Sequence, residues 1–415
     1  LISQRALKRT FATALTLQRQ PLSKSPSSSV MTAFARGLDR DGMTAAPDKI
    51  NLLGMSHDML EQFFAERDEK PFRARQILQW VHQRGVIDFD EMTDLSKKLR
   101  ERLHADAEIV LPRVQSRHDS SDGTVKWLFA TDCGQAVETV FIPEPDRGTL
   151  CISSQVGCAL DCAFCATGAQ GFNRNLTSAE IIGQVFVANS ELPRRENGEP
   201  AVTNVVFMGM GEPLANYRNV IPVLKLLVSD WSYGLSRRRV TVSTSGLVPH
   251  LNKLADECNV ALAVSLHAPN DALRDEILPI NKLHPNATLL DACWSYAAKH
   301  PNRYITFEYV MLRGVNDSLA HADELAELLD KKPAKVNLIP FNPFPGTAFK
   351  RSSADTIQHF QNRLRQKGMV ATTRKTRGDD IDAACGQLAG KVSDRVRNRL
   401  GDKTFGNRNI KVVSA

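Results

Sequence analysis

The sequence of 415 residues contains no apolar run near the roughly 20 residues that a membrane-spanning helix needs, which argues against an integral membrane protein. It also contains no secretory signal and no internal repeat. Acidic residues are absent from residues 1–30, which hold five cations, so only +2 of the formal net charge of +7 belongs to residues 31–415. The overall charge is therefore weak support for a nucleic-acid partner, and local basic clusters must supply that support.

The composition is otherwise typical of a globular protein, with 42% hydrophobic and 24% charged residues. The length allows one large core or two to three domains. The eight cysteines, in the reducing cytoplasm that we expect for this chain, indicate metal binding or thiol chemistry and not a disulfide framework.

Residues 1–48 are rich in serine and arginine and show no sustained hydrophobic periodicity. This composition predicts a disordered tail or a start site placed too early, with Met31 or Met43 as the alternative start. A transit peptide would have a similar composition, so an organellar location stays open.

Residues 49–106 have the pattern of a small helical domain. Ser56 is placed to cap one helix and Pro71 to open a second, and a third is expected over about residues 94–104.

Residues 107–148 change to the two-residue period of β-strands, with a turn signal at Asp122-Gly123, and predict a short β extension. At the other end of the chain, residues 391–415 are basic and predict a helix or tail.

Residues 149–390 alternate strand-like and helical patterns, which is typical of parallel βαβ units. The expected strands are 149–153, 204–208, 240–243, 260–265, 304–311 and 335–339. The expected helices are 178–188, 220–229, 286–298, 319–329 and 354–367. Such units form an α/β fold, either a partial or complete barrel or a doubly wound sheet. In both, the active site lies at the carboxyl ends of the strands.

Cys158, Cys162 and Cys165 form a C-x3-C-x2-C run directly after the first of these strands. A structural zinc site usually takes four protein ligands, and no second C-x2-C pair or nearby histidine completes such a set. A 4Fe–4S cluster normally takes one thiolate per iron, so three thiolates leave one iron open. S-adenosylmethionine (SAM) can bind there, and an electron from the cluster can cleave it to a 5′-deoxyadenosyl radical. With Phe164 before the last cysteine, the run matches the signature of the radical SAM superfamily.

Polar residues and glycines at the ends of later strands are candidate SAM contacts. Glycines allow close approach of a ligand to the backbone, and a glutamate can accept a charged amino group. Each could instead be an ordinary turn or capping residue, but their shared position at the strand ends favours binding. They are Gly211, Glu212, Ser243, Ser265, Leu266, His267 and Asn342.

Three further residues are candidates for catalysis. Cys385 follows the basic stretch 374–377 in a loop rich in glycine and aspartate, where a thiolate would be accessible and stabilised. Cys151 lies in the first barrel strand. Glu138 shares a strand face with apolar residues, which suits a general base, although it could equally face water or pair with Arg147. The remaining cysteines are interpreted as small buried hydrophobic residues: Cys133, Cys258 and Cys293.

From about Lys49 onward, the chain closely resembles the bacterial dual-specificity RNA adenine C2-methyltransferases of the radical SAM superfamily. The resemblance implies a partial (βα)6-type TIM-like radical SAM barrel. The blocks that carry it are 69–74, 120–124, 153–158, 171–176, 208–213, 265–269, 342–346 and 374–390.

The resemblance also implies a mechanism that uses two SAM molecules. One SAM methylates Cys385, and a second is cleaved at the cluster held by the cysteine triplet. The radical removes a hydrogen from the methyl group on Cys385, and the resulting methylene adds to C2 of adenine. Glu138 then removes the C2 proton, and Cys151 attacks the sulfur of Cys385, which releases methylated RNA and leaves a disulfide.

The implied substrates are an adenosine in the peptidyl-transferase region of 23S rRNA and the adenosine 3′ of the tRNA anticodon. A monomer and an electron donor such as flavodoxin are also expected. The helical domain is a plausible RNA-docking module, with Arg73, Arg75 and Arg84. Candidate phosphate contacts are 237–239, 374–377, Lys391, Arg395, Arg397, Arg399 and Lys403. For the C-terminal set, from Lys391 onward, a solvated helix face is the better default.

Three alternatives stay open. An enzyme that methylates C8 of the same rRNA adenosine would share the triplet and both accessory cysteines. A radical SAM enzyme acting on a protein or small molecule would not need Cys151 and Cys385. An iron–sulfur electron carrier or RNA-binding protein would not cleave SAM.

Overall fold

The computed structural model describes residues 49–300 and 303–395. The predicted N-terminal tail, and all but residues 391–395 of the predicted C-terminal helix or tail, lie outside the described residues. Among the helices that are described, none combines the length and the apolar content needed to cross a bilayer.

The N-terminal part contains three α-helices, as the sequence predicts: α1 His57–Ala65, α2 Phe72–Leu78 and α3 Lys97–Asp106. Ser56 precedes α1 and Pro71 precedes α2. The third helix begins later than expected because Ser96 caps it, its hydroxyl accepting a hydrogen bond from the Leu99 N–H. Two short parallel strands, β1 Ile50–Asn51 and β2 Ala107–Glu108, join the two ends of this part.

Three antiparallel strands follow: β3 Arg113–Asp119, β4 Val125–Ala130 and β5 Ala136–Glu144. The predicted turn at Asp122-Gly123 joins β3 to β4. Gly123 has φ +83°, a left-handed conformation that favours glycine. The Asp122 carboxylate accepts a hydrogen bond from the Thr124 N–H, which closes the turn.

The antiparallel strands continue into a run of parallel strands through β6 Arg147–Cys151. The other parallel strands are β9 Asn204–Phe207, β10 Val240–Thr244, β11 Ala261–Ser265, β12 Ile305–Met311, β13 Ala334–Pro340 and β14 Val370–Thr373. A separate antiparallel pair, β7 Gln155–Gly157 and β8 Phe172–Asn175, lies beside the main sheet. The remaining helices are α4 Ala166–Gln170, α5 Ser178–Glu191, α6 Tyr217–Val228, α7 Val248–Glu257, α8 Asp271–Ile277, α9 Asn286–Lys299, α10 Leu319–Leu328 and α11 Ala354–Gln366.

The order of strands in the sheet distinguishes a barrel from a doubly wound sheet. From β6 through β9 to β14, each strand pairs in parallel with the next in the chain, without the reversal of a doubly wound sheet. Right-handed crossovers then place the connecting helices on one face, and the sheet curves around the other. The predicted α/β partial barrel is confirmed, with six βα units followed by the additional strand β14.

Some elements of the barrel were missing from the prediction. α8 has seven residues and β14 has four, which is too short for a clear periodic pattern. α7 has ten residues and was also missed, since Pro249 near its start and Asn252 within it weaken a helical pattern read from sequence alone.

Candidate active site

The three cysteines of the triplet lie on the loop between β7 and α4, along one cavity of about 150 Å³. Gly157 begins this loop with φ +79°, and a Cβ there would lie 2.0 Å from the Gly171 carbonyl oxygen. Burial raises the pKa of the Cys158 thiol to about 12 and also raises the pKa values of Cys162 and Cys165. Cys162 is buried and Cys158 and Cys165 are half-buried, and a positively charged group bound among them would stabilise their thiolate forms.

The spacing of the thiols fits a cluster better than a single ion. Within the part of the chain that the structure describes, the three sulfurs are not all within 4.8 Å of one another. Thiolates around one zinc ion lie about 4 Å apart, since each Zn–S bond is about 2.3 Å. A 4Fe–4S cluster takes each thiolate on a different iron and needs wider spacing. The residues therefore fit an iron–sulfur cluster.

The same cavity is lined by Gly211, Glu212, Ser243, Ser265 and His267. Gly211 has φ +96°, and a Cβ there would lie 2.5 Å from the Gln155 Cβ, so only glycine fits. The buried Glu212 carboxylate accepts hydrogen bonds from the N–H groups of Leu214 (3.1 Å) and Ser245 (2.8 Å). Burial raises the pKa of Glu212, so a cationic ligand would stabilise its charged form.

His267 lies at the end of β11 in a left-handed conformation, with φ +58°. Its Nδ1 accepts a hydrogen bond from the Val310 N–H (3.0 Å), and its ring packs edge-on against Phe164 of the cysteine loop. Burial, with a smaller contribution from the Arg274 charge, lowers the pKa of His267 to about 3. The imidazole is therefore neutral at physiological pH and can bind a ligand only by hydrogen bonding or packing.

Arg274, on α8, joins the loops that follow β10 and β11. It is fully buried and donates to the carbonyl oxygens of Ser245 (2.8 Å), Ser265 (3.1 Å) and Leu266 (3.0 Å). Its remaining bond goes to the Asn281 side chain (2.7 Å). Since Ser245 in turn holds Glu212, one guanidinium fixes the backbone on two sides of the cavity.

Two predicted SAM contacts do not line this cavity. Leu266 is fully buried, and its N–H donates to the Glu308 carbonyl oxygen. Asn342 lines the neighbouring cavity, where its Nδ2 donates to the Cys385 carbonyl oxygen (3.1 Å) and its Oδ1 accepts a bond from Arg351.

The neighbouring cavity is larger, about 890 Å³, and runs through the interior of the barrel. Cys385 lines both cavities. Four other residues also line both and mark the boundary between them: Met208, Glu308, Ile339 and Arg374. A group carried on Cys385 can therefore face a ligand in either cavity.

Cys151 lines the larger cavity together with Cys385. Burial and the negative charge of Cys385 raise the pKa of the Cys151 thiol to about 12, and Arg374 opposes this rise. Conversely, the charges of Cys385, Glu308 and Cys151 raise the pKa of Arg374. Arg374 is thus a permanent cation beside the pair of thiols, where it favours the thiolate form of Cys151.

The segment that contains Cys385 is held by hydrogen bonds to several parts of the fold. Helix α4, directly after the cysteine triplet, donates hydrogen bonds to three carbonyl oxygens of the Cys385 segment. The Ala166 N–H donates to Gly386 (2.8 Å), the Thr167 hydroxyl to Leu388 (2.6 Å) and the Gln170 amide to Gly390 (2.8 Å). Upstream, the block 120–124 binds the same loop, with Asp380 accepting from the Ser121 N–H and Asp122 accepting from the Gly378 N–H.

Glu138 is buried on β5, a central strand between β4 and β6. One carboxylate oxygen accepts from the Ala389 N–H (2.8 Å), and the other lies 3.2 Å from the Lys126 ammonium. Of the arrangements left open by the sequence, both the water-facing edge position and the pair with Arg147 are wrong, because Arg147 pairs with Glu144. Glu138 is thus tied directly to the segment of Cys385.

Two of the other cysteines, Cys258 and Cys293, are buried as predicted, whereas Cys133 is half-buried. The Cys133 sulfur accepts a hydrogen bond from Arg174 (3.4 Å). This bond and that of the Thr131 hydroxyl outweigh burial and lower the pKa of Cys133.

Sequence reasoning missed three residues of the site: Lys126, Arg274 and Glu308. Glu308 is a buried carboxylate on β12 that accepts a bond from Asn337 (2.8 Å). A charged residue within the apolar run 305–311 was the available signal. For Lys126 and Arg274 the sequence holds no comparable signal, because their partners lie on other elements.

Comparison with known proteins shows what the chain is similar to. The ribosomal RNA large subunit methyltransferase N-terminal domain family matches residues 50–109, and the radical SAM superfamily matches residues 152–329. A radical SAM methyltransferase from Sphaerobacter thermophilus of known crystal structure is 45% identical, with a TM-score of 0.75, over 82% of this chain and 99% of that chain. A domain of pyruvate-formate lyase-activating enzyme from Bacteroides vulgatus is 21% identical over 41% of this chain and 99% of that chain, with a TM-score of 0.33, too low to support an argument.

Proposed function

Because the chain belongs to the radical SAM methyltransferases that carry the ribosomal RNA large subunit methyltransferase N-terminal domain, we propose that it methylates C2 of adenine in RNA. Its family membership establishes a methyltransferase that uses a 4Fe–4S cluster and SAM. The observation that carries the finer proposal is the position of Cys385 on the boundary of both cavities, with a second thiol, Cys151, on the larger one.

The smaller cavity is the proposed SAM site. Cys158, Cys162 and Cys165 would hold the cluster, which supplies the electron that cleaves SAM to a 5′-deoxyadenosyl radical. Glu212 would accept the SAM amino group, since its burial favours a cationic partner. The other proposed contacts, which line this cavity, are Gly211, Ser243, Ser265 and His267. Leu266 would act through its backbone by positioning this loop, since its carbonyl oxygen is held by Arg274. Asn342 would act from the other side, by fixing the carbonyl of Cys385.

Cys385 is the proposed carrier of the methyl group. C2 of adenine is an electron-poor carbon, so direct displacement on SAM cannot methylate it. Two SAM molecules would serve each turnover, the first to methylate the Cys385 sulfur and the second to activate that methyl group. Arg374 lines both cavities together with Cys385, so its positive charge lies next to the proposed acceptor sulfur.

Glu138 and Cys151 are proposed to complete the reaction. After the methylene group has added to C2, the adduct carries an unpaired electron, and the aromatic ring is restored only when both this electron and the C2 proton are lost. The cluster, once bound, would supply the acceptor for the electron, which balances the electron given to SAM. Glu138 would take the C2 proton, and its bond to Ala389 keeps the carboxylate beside the carrier segment. The Cys151 thiolate would then attack the Cys385 sulfur. A disulfide forms, the bond from sulfur to the methylene carbon breaks, and the electron pair stays on that carbon, which takes up a proton to become the methyl group.

The proposed substrates are 23S rRNA and tRNA. The N-terminal domain family supports an RNA substrate, because it is described for ribosomal RNA methyltransferases. We also propose that residues 49–106 help to dock the RNA, that the protein acts as a monomer in the cytoplasm, and that a protein such as flavodoxin donates the electron.

Trapping the covalent intermediate tests the proposal. Anaerobically reconstituted Cys151→Ala protein, given SAM, a reductant and tRNA, should accumulate an adduct between protein and RNA, visible on a denaturing gel and absent with Cys385→Ala. Cys258→Ala is the matched control, since this buried cysteine lies away from both cavities and should give no adduct.

The product identifies the site of methylation. Wild-type protein should yield 2-methyladenosine by mass spectrometry of the digested RNA. If 8-methyladenosine is recovered instead, the site of methylation is C8 and not C2. Full turnover by Cys385→Ala on another substrate would refute the role of Cys385 as the methyl carrier.

A further inference from the structure

We propose that RNA enters the barrel at the end opposite the cysteine triplet, and that Arg238, Arg303 and Lys335 there bind the phosphates beside the reacting nucleotide. This inference rests on the proposed function and adds the route by which the base reaches Cys385.

The larger cavity opens at the amino ends of the parallel strands. Its lining includes Asn204, Ala261 and Ile305, the first residues of β9, β11 and β12. At its other end it reaches Cys385. With a rise of about 3.3 Å per residue, the four residues from Tyr304 to Glu308 span about 13 Å of this passage.

The volume of this cavity suits one nucleotide. Small-molecule sites typically measure about 300–1,000 Å³, and this cavity measures about 890 Å³. Enzymes that modify a base take it out of its stack and into a pocket of this kind. A single flipped nucleotide could therefore extend from the opening to the carrier, while the rest of the RNA stays outside.

SAM would approach Cys385 from the opposite side, through the smaller cavity. The smaller cavity contains the cysteine triplet and the proposed SAM contacts, and it borders the larger one at Cys385. If SAM and adenine must both meet Cys385, and SAM takes the side of the triplet, then adenine must come through the barrel interior.

The opening is lined by cations with few anions to neutralise them. Arg238 and Lys335 are exposed and Arg303 is half-buried, and none of the three has an ion-pair partner among the described residues. Burial and repulsion by the nearby charges of Arg238 and Arg237 lower the pKa of Arg303. A phosphate placed among these groups would relieve that repulsion and be bound by them.

An exposed aromatic residue stands beside these cations. Tyr304 is 53% exposed and lies directly before β12, with the Lys335 ammonium 4.9 Å from the centre of its ring. Exposed aromatic rings next to cations are typical of surfaces that bind single-stranded RNA, because bases stack on the ring while phosphates contact the cations. Tyr304 is thus placed to stack a base next to the flipped nucleotide.

The salt dependence of RNA binding tests the proposal. The reconstituted full-length protein and its R238Q/R303Q/K335Q variant are titrated, at several KCl concentrations, against a fluorescein-labelled anticodon stem–loop RNA. Three lost phosphate contacts should reduce the slope of log Kd against log salt by about 2, since each contact to a single strand contributes about 0.7. Affinity near 0.1 M salt should fall about tenfold or more.

The matched control removes the same charge elsewhere. Lys253 is exposed on α7, Lys282 is exposed at the end of a short 3-10 helix (Pro279–Lys282), and Lys350 is exposed in the segment after β13. None of the three lines either cavity, so K253Q/K282Q/K350Q should keep both the affinity and the slope of the wild type. Tyr304→Leu should weaken binding with an unchanged slope, and Tyr304→Trp should keep the affinity.

The outcomes separate this inference from the proposed function. If the wild type binds RNA and the two triple variants weaken binding equally, or neither weakens it, the proposed entrance is wrong but the proposed function still stands. A wild type that binds no RNA overturns both. If the triple variant melts at a lower temperature than the wild type, the single variants Arg238→Gln and Lys335→Gln replace it, because both side chains are exposed. Each should reduce the slope of log Kd against log salt by about 0.7. Unchanged slopes would again reject the proposed entrance.

Discussion

Arg274→Met should both destabilise the protein and weaken SAM binding. Arg274 is fully buried and supplies hydrogen bonds to three main-chain carbonyl oxygens, those of Ser245, Ser265 and Leu266. Burial lowers the pKa of Arg274 to about 10, so the guanidinium is still charged at neutral pH. Methionine fills part of the volume and can make none of these bonds.

The magnitude follows from the bonds that are lost. A buried acceptor left without a donor costs about 1–3 kcal/mol, and the substitution removes the Arg274 donor from the Ser245 and Ser265 carbonyls and from the Asn281 side chain. The Leu266 carbonyl keeps a hydrogen bond from the Ala268 N–H (2.8 Å). Part of that sum is offset, because the variant no longer has to bury a charged group and because the surrounding structure can relax. Breaking a buried charged network typically costs about 3–5 kcal/mol, and we expect a loss in this range. Total stabilities of about 5–15 kcal/mol make this a large change.

Urea denaturation followed by circular dichroism measures the free energy of unfolding. Arg313→Met is the matched control, because Arg313 is exposed and its variant should remain within about 0.5 kcal/mol of the wild type. Arg274→Lys keeps the charge but cannot reach all three carbonyls, so it should fall between the wild type and Arg274→Met.

SAM binding separates a positioning role from a merely structural one. Because Ser245 both accepts from Arg274 and donates to Glu212, release of this loop should raise the Kd for SAM about tenfold, equivalent to about 1.4 kcal/mol. The measurement uses folded protein at a temperature well below its melting transition. A Kd and an unfolding free energy for Arg274→Met that both match the wild type would falsify the reasoning.

Three further predictions concern individual residues of the site. Gly211→Ala should abolish SAM binding in an equilibrium assay, since its Cβ would lie 2.5 Å from the Gln155 Cβ at φ +96°; tight binding would contradict the geometry. His267 has a folded-state pKa of about 3 against an ordinary value of 6.5, so the unfolded chain takes up its proton first and stability is lost as the pH falls from 6.5 toward 3. His267→Gln should remove about 1.4 kcal/mol of this loss at pH 5.5 in urea denaturation, and an unchanged pH dependence would show that another group is responsible. Arg374→Met should raise the pKa of Cys151 further above about 12 and slow its alkylation by iodoacetamide, as measured by mass spectrometry between pH 8 and 10; faster alkylation would contradict the assigned role of Arg374.

The sequence was sufficient for features that depend on local spacing. Residues 177–180 have the Thr-x-x-Glu spacing of a capping box, and the structure contains one. The Glu180 N–H donates to the Thr177 hydroxyl, and the Thr177 N–H donates back to the carboxylate. The cysteine triplet and the glycines before Glu212 are similarly local, because a few consecutive residues determine where the loop turns.

Features that depend on strand register could not be predicted. Glu138 lies opposite Leu128 on β4, which brings Lys126, two residues away, next to its carboxylate. A shift of one residue would move these side chains to opposite faces, and the amino-acid pattern does not fix that register. Arg147 is closer to Glu138 in the sequence than either of its actual partners, Lys126 and Ala389, but Arg147 pairs with Glu144 in the turn between β5 and β6.

The hydrogen bonds that hold the segment of Cys385 have a consequence for biosynthesis. In a chain made from its amino end, the triplet and all the parallel strands emerge before this segment does. A nascent barrel could therefore assemble its iron site while the groups of α4 that later bind Gly386, Leu388 and Gly390 are still solvated. Cys385, the proposed methyl acceptor, would arrive last and close over a preformed metal centre. This order would limit the time during which an unfinished chain could generate radicals with the acceptor thiol in place.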